Sequence, residues 1–195
     1  LTKKISALTP EIKIISEETS INKKNRNLNN FWLIDPIDGT SEYINNREEF
    51  TINAALIINK KPVIGVVYAP AKKRLFYTYG KNFCFEIYNK KTIKLNCTKK
   101  TGKNFVKAVS YSNTLNPIIS EIHKKLKVTE YVKMKSSLKF CVIATGEYDA
   151  YVADARANEW DIAAGHAILI NAGGIITDFQ GNEIKYGKKD FKNTS

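Results

Sequence analysis

The segment FWLIDPIDGTSEYI, residues 31–44, decides the fold of this chain. It begins as an apolar strand and runs into Asp35 and Asp38, with Pro36 between them. Because a proline favours extended backbone at the residue before it, the strand is expected to end at residue 35 with that carboxylate at a sheet edge. Buried carboxylates are costly unless a cation or hydrogen bonds compensate them. The pattern therefore predicts a positive partner for the two aspartates.

The residues after the second aspartate indicate an anion site beside the pair. Gly39 has no side chain, so a ligand can approach its backbone closely. Thr40 and Ser41 lie where a helix is expected to begin, and N–H groups at a helix start favour a phosphate. Carboxylates and the Ile37 carbonyl next to an anion site are typical of Mg²⁺ that bridges to a phosphate. A solvated turn with two surface aspartates remains an alternative explanation of this segment alone.

Two other segments place carboxylates at the ends of predicted elements. ISEE (15–18) follows a short predicted strand, IKII (12–15). NEWDIAAGHAI (158–168) places an aspartate in the first turn of a helix, after a tryptophan that would anchor the helix in the core. Taken singly, these are explained by solvated glutamates or by an aspartate at the positive end of a helix dipole. Together they supply four candidate metal ligands: Glu17, Asp35, Asp38 and Asp161.

Length and composition predict one globular domain. The chain has 195 residues and 43% hydrophobic content, which suits a single domain, 1–195, with lobes at approximately 1–104 and 105–195. The formal net charge is +12, which raises the question of a nucleic-acid partner. The lysines are spread along the chain and form no compact basic block, so we expect no nucleic-acid partner. No apolar run has transmembrane length, so we expect no integral membrane segment.

The cysteines and the chain ends lead to two further expectations. Three cysteines stand far apart, without metal-ligand spacing, and are expected to be reduced thiols in a cytoplasmic protein. The chain begins at Leu1 and its single methionine is Met134, so we expect a fragment that lacks structure mainly at its front. We also expect His123 at the surface and His166 in a packing role.

The predicted elements alternate between strands and helices around sheets. Apolar runs at 50–59 and 62–70, followed by RLFYTYG and NFCFEIY, predict a meander of antiparallel strands. Polar loops are expected at 19–30 and 98–104. Later segments predict, in order, a strand at 106–112, a helix at 116–126, a helix and then a strand within 136–154, a helix that ends in the Gly pair at 173–174, and a closing strand, IITDF, at 175–179. The fold class is mixed α/β (α+β).

These segments resemble a known family. SEE, WLIDPIDGTSEYI and EWDIAAGHAILINAGG resemble, in this order, the three signature segments of the lithium-sensitive, magnesium-dependent inositol monophosphatase superfamily. Within it, LTPEIKIISEE, EEFTINAALI, PVIGVVYAPA and SSLKFCVIATGE are similar to the branch of CysQ-type 3′(2′),5′-bisphosphate nucleotidases. The resemblance covers nearly the whole chain. It implies a layered α/β/α/β sandwich in which the family's N-terminal helical pair is missing.

The resemblance also implies site residues, and two or three Mg²⁺ ions as cofactors. The implied metal ligands are Glu17, Asp35, the Ile37 carbonyl, Asp38 and Asp161. The implied catalytic residues are Glu17, Asp35, Asp38 and Thr40, whose hydroxyl would help to orient the attacking water. The implied substrate-binding residues are Glu17, Ile37, Asp38, Gly39, Thr40, Ser41, Ser136, Lys139, Arg156 and Asp161. Lys135 stands where members of the family usually have glycine.

The activity implied is hydrolysis of adenosine 3′,5′-bisphosphate to AMP and phosphate, so the partner is a small-molecule bisphosphate nucleotide. The positive charge of Lys139 suits a second phosphate, which a monophosphate substrate lacks. A lysine whose stem lies along apolar surface remains the alternative explanation. An inositol-1-monophosphatase or related sugar phosphatase is the alternative within the class. A non-catalytic nucleotide- or phosphate-binding homologue is the alternative outside it, because the family's Thr-x-x-Asp element is missing. We expect a monomer or homodimer in the cytoplasm, with a peripheral position on the cytoplasmic side of the inner membrane as the other location.

Overall fold

The computed structural model describes residues 1–20, 28–99 and 105–193. Its helices within these ranges are α1 (Thr2–Leu8), α2 (Glu17–Ser20), α3 (Thr40–Ile44), α4 (Pro117–Lys125), α5 (Leu138–Ala144) and α6 (Glu159–Asn171), with a short 3₁₀ turn at Cys97–Lys99. Its strands are β1 (Lys13–Ser16), β2 (Phe31–Asp38), β3 (Thr51–Ile58), β4 (Lys61–Ala69), β5 (Arg74–Gly80), β6 (Phe83–Tyr88), β7 (Lys91–Lys94), β8 (Val106–Ser110), β9 (Val128–Lys133) and β10 (Ala150–Tyr151).

The first sheet contains seven strands in chain order, β1 to β7. β1 pairs parallel to β2, and every later neighbour is antiparallel. The predicted meander is therefore confirmed. β7 was not predicted, because all four of its side chains are exposed and show no apolar alternation. It forms by pairing with β6 at the edge of the sheet.

Helix α6 covers one face of this sheet, where it packs against β2 to β6. Its predicted extent is confirmed, and most of its side chains are buried. Small residues allow the close approach, since a Cβ added at Gly65 of β4 would collide with the carbonyl oxygen of Ala164. The main core fills this interface with Phe31, Leu33, Val67 and Phe76 from the sheet. The start of α6 is thereby held at a fixed distance from the end of β2.

The second sheet has the order β10-β8-β9, with all strands parallel. Helix α5 packs between α6 and β10, and α4 lies against β9. Helices thus separate the two sheets and cover the second, which confirms the mixed, layered α/β architecture. β9 was not predicted because five of its six side chains are exposed.

The structure corrects several sequence-based expectations. β2 continues beyond residue 35 to Asp38, because pairing with β3 resumes at Thr51 after a register shift. The closing strand predicted at 175–179 is wrong. Ile175 is 84% exposed, and among the described residues Thr177 makes only an isolated bridge to Glu183, so this apolar segment does not pair as a strand there.

The remaining expectations concern the start of the chain, His123 and the two predicted polar loops. Helix α1 was not predicted. His123 is buried against the Tyr131 ring, so its expected surface position is wrong. Much of the two predicted polar loops, at 21–27 and 100–104, lies outside the described residues. In the described ranges, no helix is both long enough and apolar enough to cross a membrane.

Candidate metal and phosphate site

Three aspartates from two distant parts of the chain meet at one end of the first sheet. Asp35 and Asp38 lie in the last four residues of β2, and Asp161 lies in the first turn of α6. One carboxylate oxygen from each falls within 4.8 Å of the other two. Asp35 is only 1% exposed, and the other two are partly buried. Such a group of hard oxygen atoms can hold a divalent cation.

The backbone of β2 brings its two carboxylates to the same point. In the ladder between β2 and β3, Asp35 pairs with Asn53 and Asp38 pairs with Thr51. The register shifts between these two pairs, which is where the strand accommodates the two residues between the aspartates. The Ile37 N–H donates a hydrogen bond to Asp35 Oδ1 at 3.0 Å. Bulges of this kind redirect side chains at sheet ends. Asp35 and Asp38 are therefore brought together by a bulge within β2.

The electrostatics of the cluster favour a bound cation. Burial raises the pKa of Asp35 to about 9, and the nearby carboxylates of Asp38, Glu17 and Asp161 add to that effect. Burial also raises the pKa of Asp161 to about 7. The negative charge of Asp38 adds to this shift, and the hydrogen bond from the Asn158 N–H opposes it. Like charges held together away from water disfavour ionisation, and a cation removes that penalty. The donor set therefore fits a metal ion.

Glu17 and the Ile37 carbonyl complete the set of predicted ligands. Glu17 is the first residue of α2, directly after β1, and its side chain hydrogen-bonds with that of Asp35. Since β1 and β2 are parallel neighbours, their carboxyl ends lie at the same edge of the sheet. The Ile37 carbonyl accepts a hydrogen bond from Thr40 Oγ1 at 3.1 Å. All the predicted ligand residues therefore lie at this edge.

The predicted phosphate-binding turn follows Asp38 directly. Gly39 has a left-handed backbone, with φ of 88°, and precedes α3. A Cβ there would lie 2.9 Å from the Glu49 carbonyl oxygen, so both the backbone angle and the neighbouring chain require glycine. Thr40 and Ser41 begin α3 and are exposed. Glycine thus has a structural reason here besides the one inferred from the sequence.

Sequence reasoning missed the residue that holds Asp38 in place. Ser137 donates from its N–H to Asp38 Oδ2 at 2.5 Å, and its hydroxyl lies 2.8 Å from the same oxygen. The Asn53 amide donates to both Ser137 Oγ (2.8 Å) and Asp38 Oδ2 (3.3 Å). Ser137 Oγ also contacts the carbonyl oxygen of Asp161. One signal was available, because Asn53 is a polar residue within the apolar run of β3.

Comparison with known proteins agrees with this arrangement. A family model described as the inositol monophosphatase family matches residues 1–195. The chain belongs to the inositol monophosphatase family. The resemblance inferred from the signature segments is thereby confirmed.

Similar members of the family carry a more specific name. The 3′(2′),5′-bisphosphate nucleotidase CysQ of Buchnera aphidicola subsp. Acyrthosiphon pisum is 38% identical over 94% of this chain and 69% of that protein. The protein of the same name from Salmonella typhimurium is 36% identical over 95% of this chain and 74% of its own length. The crystal structure of CysQ from Bacteroides thetaiotaomicron has a TM-score of 0.80 and 30% identity, and it covers 99% of this chain and 79% of that one.

The predicted residues for a second phosphate lie on the side of the site formed by α5 and the start of α6. Lys139 is 5% exposed, and its Nζ donates to the Ser136 carbonyl at 2.5 Å. Burial lowers the pKa of Lys139 to about 8, although Asp38 opposes that effect. Arg156 is paired with Asp154, at 2.5 Å from Nε to Oδ1 and 2.9 Å from Nη2 to Oδ2. The buried lysine therefore lies near the acidic cluster, while the arginine charge is already matched.

A separate cavity of about 450 Å³ contains none of the aspartates of the cluster. Its walls are largely apolar and include Phe140, Ile143 and Leu169, and Arg156 also lines it. This cavity is distinct from the acidic cluster, where charge, burial and hydrogen bonding converge.

Proposed function

We propose that this chain is a magnesium-dependent 3′(2′),5′-bisphosphate nucleotidase that hydrolyses adenosine 3′,5′-bisphosphate to AMP and phosphate. One observation carries the proposal: the carboxylates of Asp35, Asp38 and Asp161 converge within 4.8 Å in a chain whose similar relatives bear that name. Magnesium is the proposed ion because every ligand in the set is an oxygen atom.

The proposed metal ligands are Glu17, Asp35, the Ile37 carbonyl, Asp38 and Asp161, which would hold two or three Mg²⁺ ions. When bound, Mg²⁺ supplies a more acidic water and charge neutralisation for the leaving oxygen. The protein keeps the ligands in position before the ion binds. Ser137 and Asn53 orient Asp38, and the bulge of β2 directs Asp35 toward it.

The residues after Asp38 are proposed to bind the phosphate that is cleaved. Gly39 and Ser41 present backbone N–H groups at the start of α3, next to the acidic cluster. The Thr40 hydroxyl is 3.1 Å from the Ile37 carbonyl, so it lies beside a proposed metal ligand. There it can orient the water that attacks phosphorus. Proximity and orientation of this kind supply much of an enzyme's rate acceleration.

The second phosphate is proposed to bind near Ser136 and Lys139, with Arg156 assisting. Lys139 is buried, which lowers its pKa to about 8, and the negative charge of Asp38 opposes that shift. A buried cation close to the site favours a substrate with a second anionic group. The remaining proposals concern the whole protein: inhibition by lithium, a role in sulfur metabolism, a cytoplasmic location, a monomeric or homodimeric state, and a division into lobes near residue 104.

The test measures phosphate release from adenosine 3′,5′-bisphosphate, 3′-AMP and inositol 1-phosphate, with and without Mg²⁺, using protein expressed from its complete gene. We expect the bisphosphate nucleotide to have the highest kcat/KM, and the activity to require Mg²⁺. A preference for inositol 1-phosphate would identify a sugar phosphatase instead. Binding of the nucleotide without turnover of any substrate would identify a non-catalytic homologue.

Lys139→Met tests the second-phosphate site, because methionine fills similar buried volume without the charge. We expect kcat/KM for the bisphosphate nucleotide to fall, because one charged hydrogen bond is lost. The fall should correspond to about 1.5–3 kcal/mol less transition-state stabilisation. Substrates with a single phosphate should lose little. Lys133→Met is the matched control, since Lys133 is exposed at the end of β9. An equal loss on all three substrates would make Lys139 a structural residue.

A further inference from the structure

Three positively charged side chains from different parts of the chain lie near the ring of Tyr111. Lys135 Nζ lies 3.3 Å from the ring centre, Arg156 Cζ lies 4.6 Å from it and Lys139 Nζ lies 5.9 Å from it. Tyr111 directly follows β8, and Lys135 lies in the segment between β9 and α5. All three distances fall within the range in which a cation is attracted to an aromatic face.

The charges at this ring are not equally compensated. Asp154 pairs with Arg156 through two hydrogen bonds. Among the described residues, no carboxylate lies within 4.0 Å of the ammonium of either Lys135 or Lys139. Glu49 accepts the backbone N–H of Lys135, at 2.9 Å, and makes no ion pair with its side chain. The two neighbouring ammonium groups therefore repel each other without a direct ion pair, although the more distant carboxylates of Asp38, Glu49 and Asp161 attract the Lys139 charge.

An aromatic ring attracts an ammonium group but does not fill its hydrogen-bonding capacity. A lysine has three N–H donors, and a π face accepts them only weakly. A phosphate supplies several charged acceptor oxygens and binds an ammonium more strongly than a ring does. The ring thus holds Lys135 in place while most of its donor capacity remains available. Beside the ring, Tyr111, Asn116 and Arg156 line a cavity of about 190 Å³.

We infer that Lys135, positioned by the Tyr111 ring, is a specificity-determining residue that binds the nucleotide phosphate that is not hydrolysed. The inference rests on the proposed function, in which the 3′-phosphate is cleaved and the 5′-phosphate is retained. Lys139 connects the two parts of the site, because it lies near Asp38 and Asp161 as well as near Lys135. Arg156 contributes less than Lys135, because its charge is already paired with Asp154.

The experiment measures binding of 5′-AMP and of adenosine by calorimetry in EDTA, so that neither the metal nor turnover enters the result. 5′-AMP carries the retained phosphate, and adenosine has none. We expect wild-type protein to bind 5′-AMP more tightly than adenosine. Lys135→Met should weaken 5′-AMP binding roughly tenfold, as expected for loss of one charged hydrogen bond, and leave adenosine unchanged. Tyr111→Leu should weaken 5′-AMP binding severalfold, because the ammonium loses its support.

Lys133→Met is the matched control and should bind both ligands as wild type does. The backbone bond from Lys135 to Glu49 survives in Lys135→Met, so a folding defect is not expected. Equal losses for 5′-AMP and adenosine, or an unchanged affinity for 5′-AMP in Lys135→Met, would overturn the inference. A protein that binds 5′-AMP through Lys135 without hydrolysing the bisphosphate would overturn the proposed activity alone. Hydrolysis with Lys135-independent binding would overturn the inference alone.

Discussion

Ser137 and Asp38, which are 99 positions apart in the sequence, meet through two contacts to one carboxylate oxygen. The Ser137 N–H lies 2.5 Å from Asp38 Oδ2, and its hydroxyl lies 2.8 Å from it. The same hydroxyl contacts the backbone carbonyl of Asp161. A single side chain therefore links the end of β2, the start of α5 and the start of α6. The geometry of the acidic cluster depends on this link.

Ser137→Ala should weaken metal binding without unfolding the protein, because the backbone N–H bond to Asp38 remains. We expect the Mg²⁺ concentration for half-maximal activity to rise about five- to thirtyfold, which corresponds to the roughly 1–2 kcal/mol of a lost side-chain hydrogen bond. A magnesium titration of hydrolysis measures this effect. Ser120→Ala, on α4, is the control and should leave the titration unchanged. An unaltered magnesium dependence in Ser137→Ala would contradict the positioning role.

Asp35→Asn should abolish magnesium-dependent hydrolysis and at the same time stabilise the metal-free fold. A neutral amide binds a hard cation poorly. The substitution also removes a buried carboxyl group whose pKa is raised to about 9. We expect the free energy of unfolding in EDTA at pH 7 to rise by about 2–4 kcal/mol. Asp38→Asn should lose hydrolysis as well.

Chemical denaturation and a phosphate-release assay measure the two effects of Asp35→Asn. Asp190→Asn is the control, because Asp190 is exposed near the end of the described chain. A variant that keeps wild-type turnover would exclude Asp35 as a ligand. A variant that is less stable than wild type in EDTA would contradict the strain attributed to the cluster.

Gly39→Ala should destabilise the protein more than Gly181→Ala does. Both glycines have left-handed backbones, with φ of 88° and 85°, so the conformational cost is shared. That cost is about 1–2 kcal/mol for a residue with a Cβ. Only at Gly39 would the new Cβ meet another chain segment, since it would lie 2.9 Å from the Glu49 carbonyl oxygen. Near Gly181 it would meet nothing within 4 Å.

Thermal unfolding of the two glycine variants gives the comparison, and kcat adds a second measurement. Gly39→Ala should also lower kcat, because the turn with Thr40 and Ser41 would shift relative to Asp38. Gly181→Ala should keep wild-type kcat. Equal stability of the two variants would show that the contact with Glu49 is relaxed at little cost.

His166 should make the protein less stable in mild acid. Its ring is buried, and its Nδ1 lies 2.8 Å from the Tyr186 hydroxyl. Burial lowers the pKa of His166 from 6.5 to about 4. The unfolded state therefore binds this proton at a higher pH than the folded state, so stability is lost as the pH falls from 6.5 toward 4. Between pH 6.5 and 5 the expected loss is about 2 kcal/mol.

Chemical denaturation of wild type and of His166→Gln between pH 7 and pH 5 tests this expectation. Glutamine does not ionise in this range, so the variant should show a flatter dependence on pH. The pKa of His123, the other histidine of the chain, is also lowered by burial, and it should supply part of the slope that remains. Identical slopes in the two proteins would assign the acid sensitivity to other groups.

The sequence by itself determined the mixed α/β fold and the elements that carry the acidic residues. The β3–β6 meander follows from apolar runs separated by short polar turns, and α6 follows from a long apolar segment that ends in a Gly pair. Those signals are local, because strand pairing between successive runs and helix periodicity depend on nearby residues. The signature segments also indicated which carboxylates belong to one site.

Tertiary structure alone decided how the site is held together and where local signals fail. The segment 175–179 has strand composition, but within the described part of the chain it makes only an isolated bridge. In contrast, β9 has little apolar pattern and forms because β8 lies beside it. Ser137 contacts Asp38 only because distant segments pack together. The same is true of the contacts of Lys135 and Arg156 with the Tyr111 ring. These contacts depend on the distances between layers, which the packing of α6 against the sheet sets. A pattern of single residues along the chain carries no information about those distances. The carboxylates of the cluster could therefore be predicted, and the residues that hold them in place could not.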